Sequence, residues 1–336
     1  MGALAQQPRK SPLKTLGVTS SGLLRNSRIK RILALLGWRV VYAPLTLRLD
    51  AVAGWGEKAP SQRARALARR RGLPFLTLED GFIRSIGLGV ERAAPLSLVI
   101  DPGGAYFNHQ APSRLSALLS DARWETPALL DRAARGLAAL RARRITKYNI
   151  AWATPPAWLP ERFILVIDQT CGDAAIAGAG ADAESFQAML SAAIAEADGA
   201  PVIVKTHPDV MSGARQGYFD PQERKGGAAT FLADPVNPWD LIARARRVYA
   251  VSSLLGYEAA LAGCETHLFG WPFYAGYGLT HDRGAPQRVA HRRLARSREA
   301  LFAATHLLYP VYYDPVEDRL TTFETALDRL SEGGLA

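Results

Sequence analysis

Short apolar runs, each closed by a cluster of polar residues, recur along the chain between stretches whose apolar positions repeat with helical period. In the first half, residues 39–42 (RVVY), 52–56 (VAGWG) and 74–78 (PFLTL) read as strands. A helix is predicted over 61–71 and a longer one over 128–144. The segment 150–160 holds three prolines and two tryptophans and reads as a linker. Beyond it the alternation restarts, with strands at 163–167 (FILVI), 201–205 (PVIVK) and 248–251 (VYAV) and helices at 184–196 and 256–261. Strands spaced by helices in this way predict parallel α/β sheets. The break near 155 divides them into two Rossmann-like domains facing a cleft. Residues 1–14 read as a disordered leader, 15–155 and 156–300 as the domains, and 301–336 as a helical segment crossing back to the first.

Composition narrows the class without changing the fold. With 336 residues, 48% of them apolar and 21% charged, the chain is neither disordered, collagenous nor a coiled coil. No apolar run approaches the roughly 20 residues of a membrane-spanning helix. The polar start, MGALAQQPRKSPLK, is unlike a secretory signal. Two cysteines, Cys171 and Cys264, are too few for a disulfide framework and fit a reduced, cytoplasmic setting. Charge adds a location. The net charge is +10, yet residues 1–72 hold fifteen lysines and arginines against Asp50 and Glu57, so the basic excess belongs to the first quarter alone. Such a patch suits a lipid headgroup surface, nucleic acid or an acidic substrate, or it is simply a solvated arginine-rich helix face.

In open α/β sheets ligands bind at the carboxyl ends of the strands, and four polar clusters stand there. Glu79-Asp80-Gly81 closes PFLTL, and the DQTCGD segment from Asp168 to Asp173 closes FILVI. Lys205-Thr206-His207-Pro208-Asp209 closes PVIVK, and Ser252-Ser253 closes VYAV. Pro208 holds His207 extended, so its imidazole can meet a phosphate or shuttle a proton. Serines at a helix start form a phosphate cradle or a plain N-cap. Asp173 and Glu79 suit a nucleophile and an acid/base for glycosyl transfer, or turn capping. No metal-ligand spacing, dinucleotide fingerprint, P-loop or nucleophile elbow is present.

Those segments, with PLSLVID at 95–101, PSRL at 112–115, KYN at 147–149 and GWPFYAGYG at 270–278, resemble the capsule polysaccharide synthesis family over 17–330. That family includes retaining β-Kdo transferases, and the resemblance implies an α/β GT-B glycosyltransferase fold, with an acceptor-side first domain and a nucleotide-sugar second domain. It implies CMP-β-Kdo as donor, a Kdo-primed lipid-linked glycan as acceptor, and no cofactor or metal in the transfer step. Asp173 then matches the essential aspartate, Glu79 the active-site glutamate and His207 with Pro208 the donor-binding motif. Gln169, Lys205, Ser252 and Ser253 would surround the donor, Glu258 its ribose, and Arg84 and Tyr274 the acceptor. Where the family has Ala-Ser after the aspartate, this chain has Ala174-Ala175. DQTCGD is more similar to the N-terminal than to the C-terminal module of the dual-module capsule enzyme, which suggests a single β-Kdo addition.

The leading expectation is a peripheral enzyme on the inner face of the bacterial cytoplasmic membrane, where basic residues meet anionic lipid and other capsule-assembly proteins. Its alternatives are a transferase of another CMP-linked 2-keto acid of the sialic-acid type, or a non-catalytic assembly partner. Nucleic acid is not expected as a partner. Its binding needs exposed aromatics among the basic residues, and residues 1–72 offer only Trp38, Tyr42 and Trp55.

Overall fold

The computed structural model of the chain describes residues 12–87, 93–207, 210, 213, 215–219, 227–286 and 293–331. Four parallel strands start the first domain: β1 (Lys14–Val18), β2 (Trp38–Tyr42), β3 (Ala51–Trp55) and β4 (Phe75–Asp80), in the order β2-β1-β3-β4. A two-residue strand β5 (Ser85–Ile86) leaves this sheet, and β6 (Ser97–Asp101) returns antiparallel to β4. Strand β7 (Tyr148–Asn149) pairs with β5. The second domain is built on β8 (Phe163–Ile167), β9 (Val202–Lys205), β10 (Ala229–Leu232), β11 (Ala245–Ala250), β12 (Glu265–Leu268) and β13 (His281–Asp282). All its pairings are parallel, in the order β10-β9-β8-β11-β12-β13. That is the Rossmann order, with its crossover reversal between β8 and β11. Helices cover both faces, which is why FILVI is buried at every position.

Two domains of this kind facing a cleft make the GT-B arrangement. Their interface is apolar around Phe82. Phe82 of the first domain lies 5.7 Å from Tyr257, 5.1 Å from Phe273 and 5.6 Å from His306, ring centre to ring centre. Trp239 Nε1 donates to the carbonyl of Ile145 at 2.8 Å, and Asn237 Nδ2 to that of Arg144 at 2.9 Å. These bonds tie the end of the first domain to the second.

Two sequence expectations change. Lys14, assigned to the leader, is the first residue of β1, whose Thr15 N–H donates to Asp50; residues 1–11 lie outside the described residues. The last segment is helical at Arg298–Phe302 and Ala303–Leu308, and again at Phe323–Ser331. Between them, however, β14 (Val311–Asp314) and β15 (Arg319–Thr321) form a hairpin that pairs antiparallel with β6 and extends the first sheet. The turn admits this because Asp318 adopts φ 47° and accepts from Tyr313 Oη and Arg31. Asp314 is anchored by Arg329 at 2.9 Å.

One close approach sets how the cleft-side turn after β3 is held. The helix Ala59–Arg71 sits so near the strand that a Cβ on Gly54 would fall 2.4 Å from Ser61 Oγ and 2.8 Å from its Cα. The same Ser61 hydroxyl donates to the carbonyl of Gly56 at 2.7 Å. Gly54→Ala should therefore destabilise the fold by about 1–3 kcal/mol, the cost of overpacking, seen as a lower urea midpoint at unchanged slope.

Candidate active site

The carboxyl ends of β1, β3 and β4 meet those of β8, β9 and β11 across a cleft of 1310 Å³. Its walls carry Glu79, Asp80, Arg84, Lys147 and Tyr148 from the first domain. The second supplies residues 167–175, Lys205, Thr206, His207, Ser252, Ser253 and Glu258. Of the sequence-predicted site residues, Asp173, Glu79, His207, Gln169, Lys205, Ser252, Ser253, Glu258 and Arg84 thus share one space. Pro208 lies outside the described residues.

At the reversal between β8 and β11, the Gln169 side chain bridges the two strand ends. Its Nε2 donates to Ser252 Oγ at 3.0 Å, and its Oε1 accepts from Ser252 N at 3.0 Å. Ser253 caps the helix Leu254–Ala262 by accepting from Leu255 N at 3.1 Å. Lys205 is buried, and burial lowers its ammonium to a pKa of about 8 against the opposing pull of Asp234. Its Nζ donates to the carbonyl of Thr206 at 2.8 Å. A lysine, a histidine and two hydroxyls therefore face the space outside the switch point, a set suited to a phosphate.

Asp173 stands at the start of the short helix Ala174–Gly178, where its Oδ1 accepts from Ala175 N at 3.0 Å. The departure at 175 leaves this bond intact, because the donor is backbone. The loop bearing Asp173 is pinned from beneath. Asp168 Oδ1 accepts from Gln169 N at 2.9 Å and Tyr218 N at 3.0 Å, and Cys171 N donates to the carbonyl of Gln216 at 2.8 Å. Burial raises Asp168 to about 6, against the pull of those N–H groups, and its Oδ2 has no hydrogen-bond partner among the described residues.

Across the cleft, Glu79 is half-buried and its Oε1 accepts from Asp80 N at 3.0 Å. Burial pushes its carboxyl up to about 7; the Lys147 charge works against that shift and the Asp80 carboxylate with it. Lys147 itself is held above its ordinary value. Burial opposes its charge, but the Tyr106 and Tyr148 hydroxyls and the Asp80 and Glu79 carboxylates outweigh that cost. Lys147 and Asp168 are not among the site residues the sequence predicts. Their signals were present in the KYN segment and as the first residue of DQTCGD.

Three assignments look different in the structure. Arg84, assigned to the acceptor, is buried in an ion pair with Asp80 at 2.6 Å and donates to Ser85 Oγ and the carbonyl of Ala93, so it braces the wall it sits in. Tyr274, also assigned to the acceptor, does not line the cleft; it is fully buried, and its hydroxyl donates to the carbonyl of Ser253 at 2.7 Å. The glycines beside it let the aromatic loop turn inward, Gly276 at φ 79° and Gly278 at φ 81°. Glu258 accepts from the Thr146 hydroxyl across the domain boundary, and burial lifts it to about 8. No metal-ligand spacing was read in the sequence. Among the described residues Glu265, His267 and His281 do gather, through the register of β12 against β13, at positions that do not line the cleft.

A family model described as "Capsule polysaccharide biosynthesis protein" matches residues 50–154 and 157–312. The capsule polysaccharide modification protein LipA of Neisseria meningitidis serogroup B is 39% identical over 274 residues, covering 79% of this chain and 39% of that protein. The lipopolysaccharide-processing protein LpsZ of Rhizobium meliloti is 35% identical over 267 residues, covering 78% of this chain and 60% of that one. The chain thus spans less than two thirds of either relative. Among solved structures, the KpsC beta Kdo 2,4 transferase of Thermosulfurimonas dismutans superposes with a TM-score of 0.86 at 40% identity, over 95% of this chain and 98% of that one. The beta Kdo 2,7 transferase of the same KpsC gives 0.68 at 28% identity, over the same shares.

Proposed function

The chain belongs to the capsule polysaccharide biosynthesis family, and from that premise we propose that it moves β-Kdo from CMP-β-Kdo to a Kdo-primed, lipid-linked acceptor with retention. The observation that carries the reading is the switch-point constellation. The Gln169–Ser252 bridge, Lys205 and His207 stand beside Asp173, and Glu79 lies on the facing wall of the same cleft. The greater likeness to the 2,4 than to the 2,7 transferase supports a 2,4 linkage.

In this mechanism Lys205, His207 and the serine hydroxyls hold the CMP phosphate. An Asp173 oxygen attacks the anomeric carbon, the bond to the phosphate oxygen breaks, and CMP departs with the electron pair. Glu79 then takes the proton of the acceptor hydroxyl, whose oxygen displaces Asp173 from the opposite face. Two inversions give net retention. Arg84 and Tyr274 hold the cleft walls in this scheme, and Glu258 joins the two domains. No helix among the described residues is long and apolar enough to cross a membrane. The lipid-linked acceptor places the enzyme at the inner membrane face as a peripheral protein.

The test is incubation with freshly made CMP-Kdo and a synthetic Kdo-terminated lipid, following CMP release and product mass. The expected outcome is CMP release with a gain of one Kdo, 2,4-linked by NMR. Use of CMP-sialic acid in preference to CMP-Kdo would reassign the sugar. Turnover of neither would leave a non-catalytic assembly partner.

A further inference from the structure

On the outer flank of the first domain, the chain between β2 and β3 presents two leucines to solvent. Leu45 is 83% exposed and Leu47 96%, more than any other large apolar residue among those described. Neither is loose. Ala43 is buried, and the turn Ala43–Leu45 is closed by Thr46 N donating to the carbonyl of Ala43 at 3.2 Å. The Thr46 hydroxyl donates to the carbonyl of Tyr42 at 2.9 Å, and Arg71 Nη1 donates to that of Thr46 at 2.8 Å. Further on, Leu49 packs so tightly over β1 that a Cβ on Gly17 would lie 2.8 Å from its Cδ1. With both flanks pinned, Leu45 and Leu47 are held outward.

The charge near them in the chain is mostly positive. Arg48 follows Leu47 directly, Arg39 lies on β2, and Arg69, Arg70 and Arg71 end the helix whose last residue holds the turn; all are exposed. The one acid between residues 12 and 56 is Asp50, whose carboxylate accepts from Thr15 N. We infer that this turn is a docking surface for an anionic lipid bilayer, with Leu45 and Leu47 entering the headgroup boundary and the arginines on the lipid phosphates. An exposed apolar turn with Arg48 beside it and Arg71 bonded to it suits the shallow insertion of interfacial anchors. It is far smaller than the roughly 800 Å² per partner that a stable protein interface requires. The inference rests on the lipid-linked acceptor proposed above, which puts the substrate on a membrane.

Flotation of the full chain with phosphatidylcholine vesicles, with and without phosphatidylglycerol, tests it alongside Leu45→Ser/Leu47→Ser. Transfer to a short soluble Kdo acceptor and the thermal midpoint are measured for the same proteins. The expected result is flotation with the anionic vesicles only, weakened by salt, and a partition lowered about tenfold in the double variant. Its soluble transfer rate and midpoint should be unchanged, since neither leucine lines the cleft. Equal flotation of both proteins, or none of either, overturns the docking surface. So does a dimer in light scattering that the double variant dissociates, which would make the turn a protein interface. Wild-type flotation without any soluble transfer keeps the docking surface and removes the transferase reading instead.

Discussion

Asp173→Asn should lower the rate of CMP release in the presence of acceptor by roughly four orders of magnitude, about 5.4 kcal/mol of barrier, while the protein melts where the wild type does. Asparagine is close to isosteric with aspartate and is as good an N-cap, so its Oδ1 keeps the bond from Ala175 N that starts the helix Ala174–Gly178. What it loses is the anionic oxygen, and an amide cannot form the ester to the anomeric carbon. CMP binding, followed by calorimetry, should be unchanged, because Lys205, His207, Ser252 and Ser253 stand at the ends of β9 and β11, outside the substituted loop. Asp173→Ala is the less informative variant, since it also costs about 1 kcal/mol of capping. A Asp173→Asn protein that keeps most of the wild-type rate would remove Asp173 from the chemistry.

Much of this site was legible because strand ends in a Rossmann-like domain are marked twice, by the stop of an apolar run and by the polar residues that follow. FILVI coincides with Phe163–Ile167 for that reason, and Gln169 and Asp173 followed from it. Strands without such a run were harder to see. Strand β12 reads Glu-Thr-His-Leu, and β14 is completed only by pairing with β6, a partner far away in the chain. The same distance hides the bonds that organise the cleft, since Gln169 meets Ser252 across 83 residues and Thr146 meets Glu258 across 112. Tyr274 shows the opposite error. An aromatic and glycine-rich loop reads as an acceptor contact in sequence, yet the rings find a core to fill and the glycines let the loop fold onto it.

The pH profile is where the unforeseen Lys147 becomes measurable. If Glu79 takes the acceptor proton, it works deprotonated, and kcat/KM should rise with pH through about 7, its raised pKa, and fall again through about 8 as Lys205 loses the charge that holds the phosphate. Glu79→Gln should lower the rate by roughly 10²–10⁴ and abolish that rising limb. Lys147 favours the charged form of Glu79, opposing the dominant effect of burial. Lys147→Met, which keeps the apolar volume and removes the cation, should therefore move the rising limb to higher pH while the falling limb stays in place. A lysine that held the sugar carboxylate instead would raise KM across the whole pH range and leave the rising limb in place. Displacement of the limb thus separates a charge that tunes the base from one that binds substrate. An unmoved limb in Lys147→Met, with the limb lost in Glu79→Gln, would deny the coupling of the two groups while leaving Glu79 as the base.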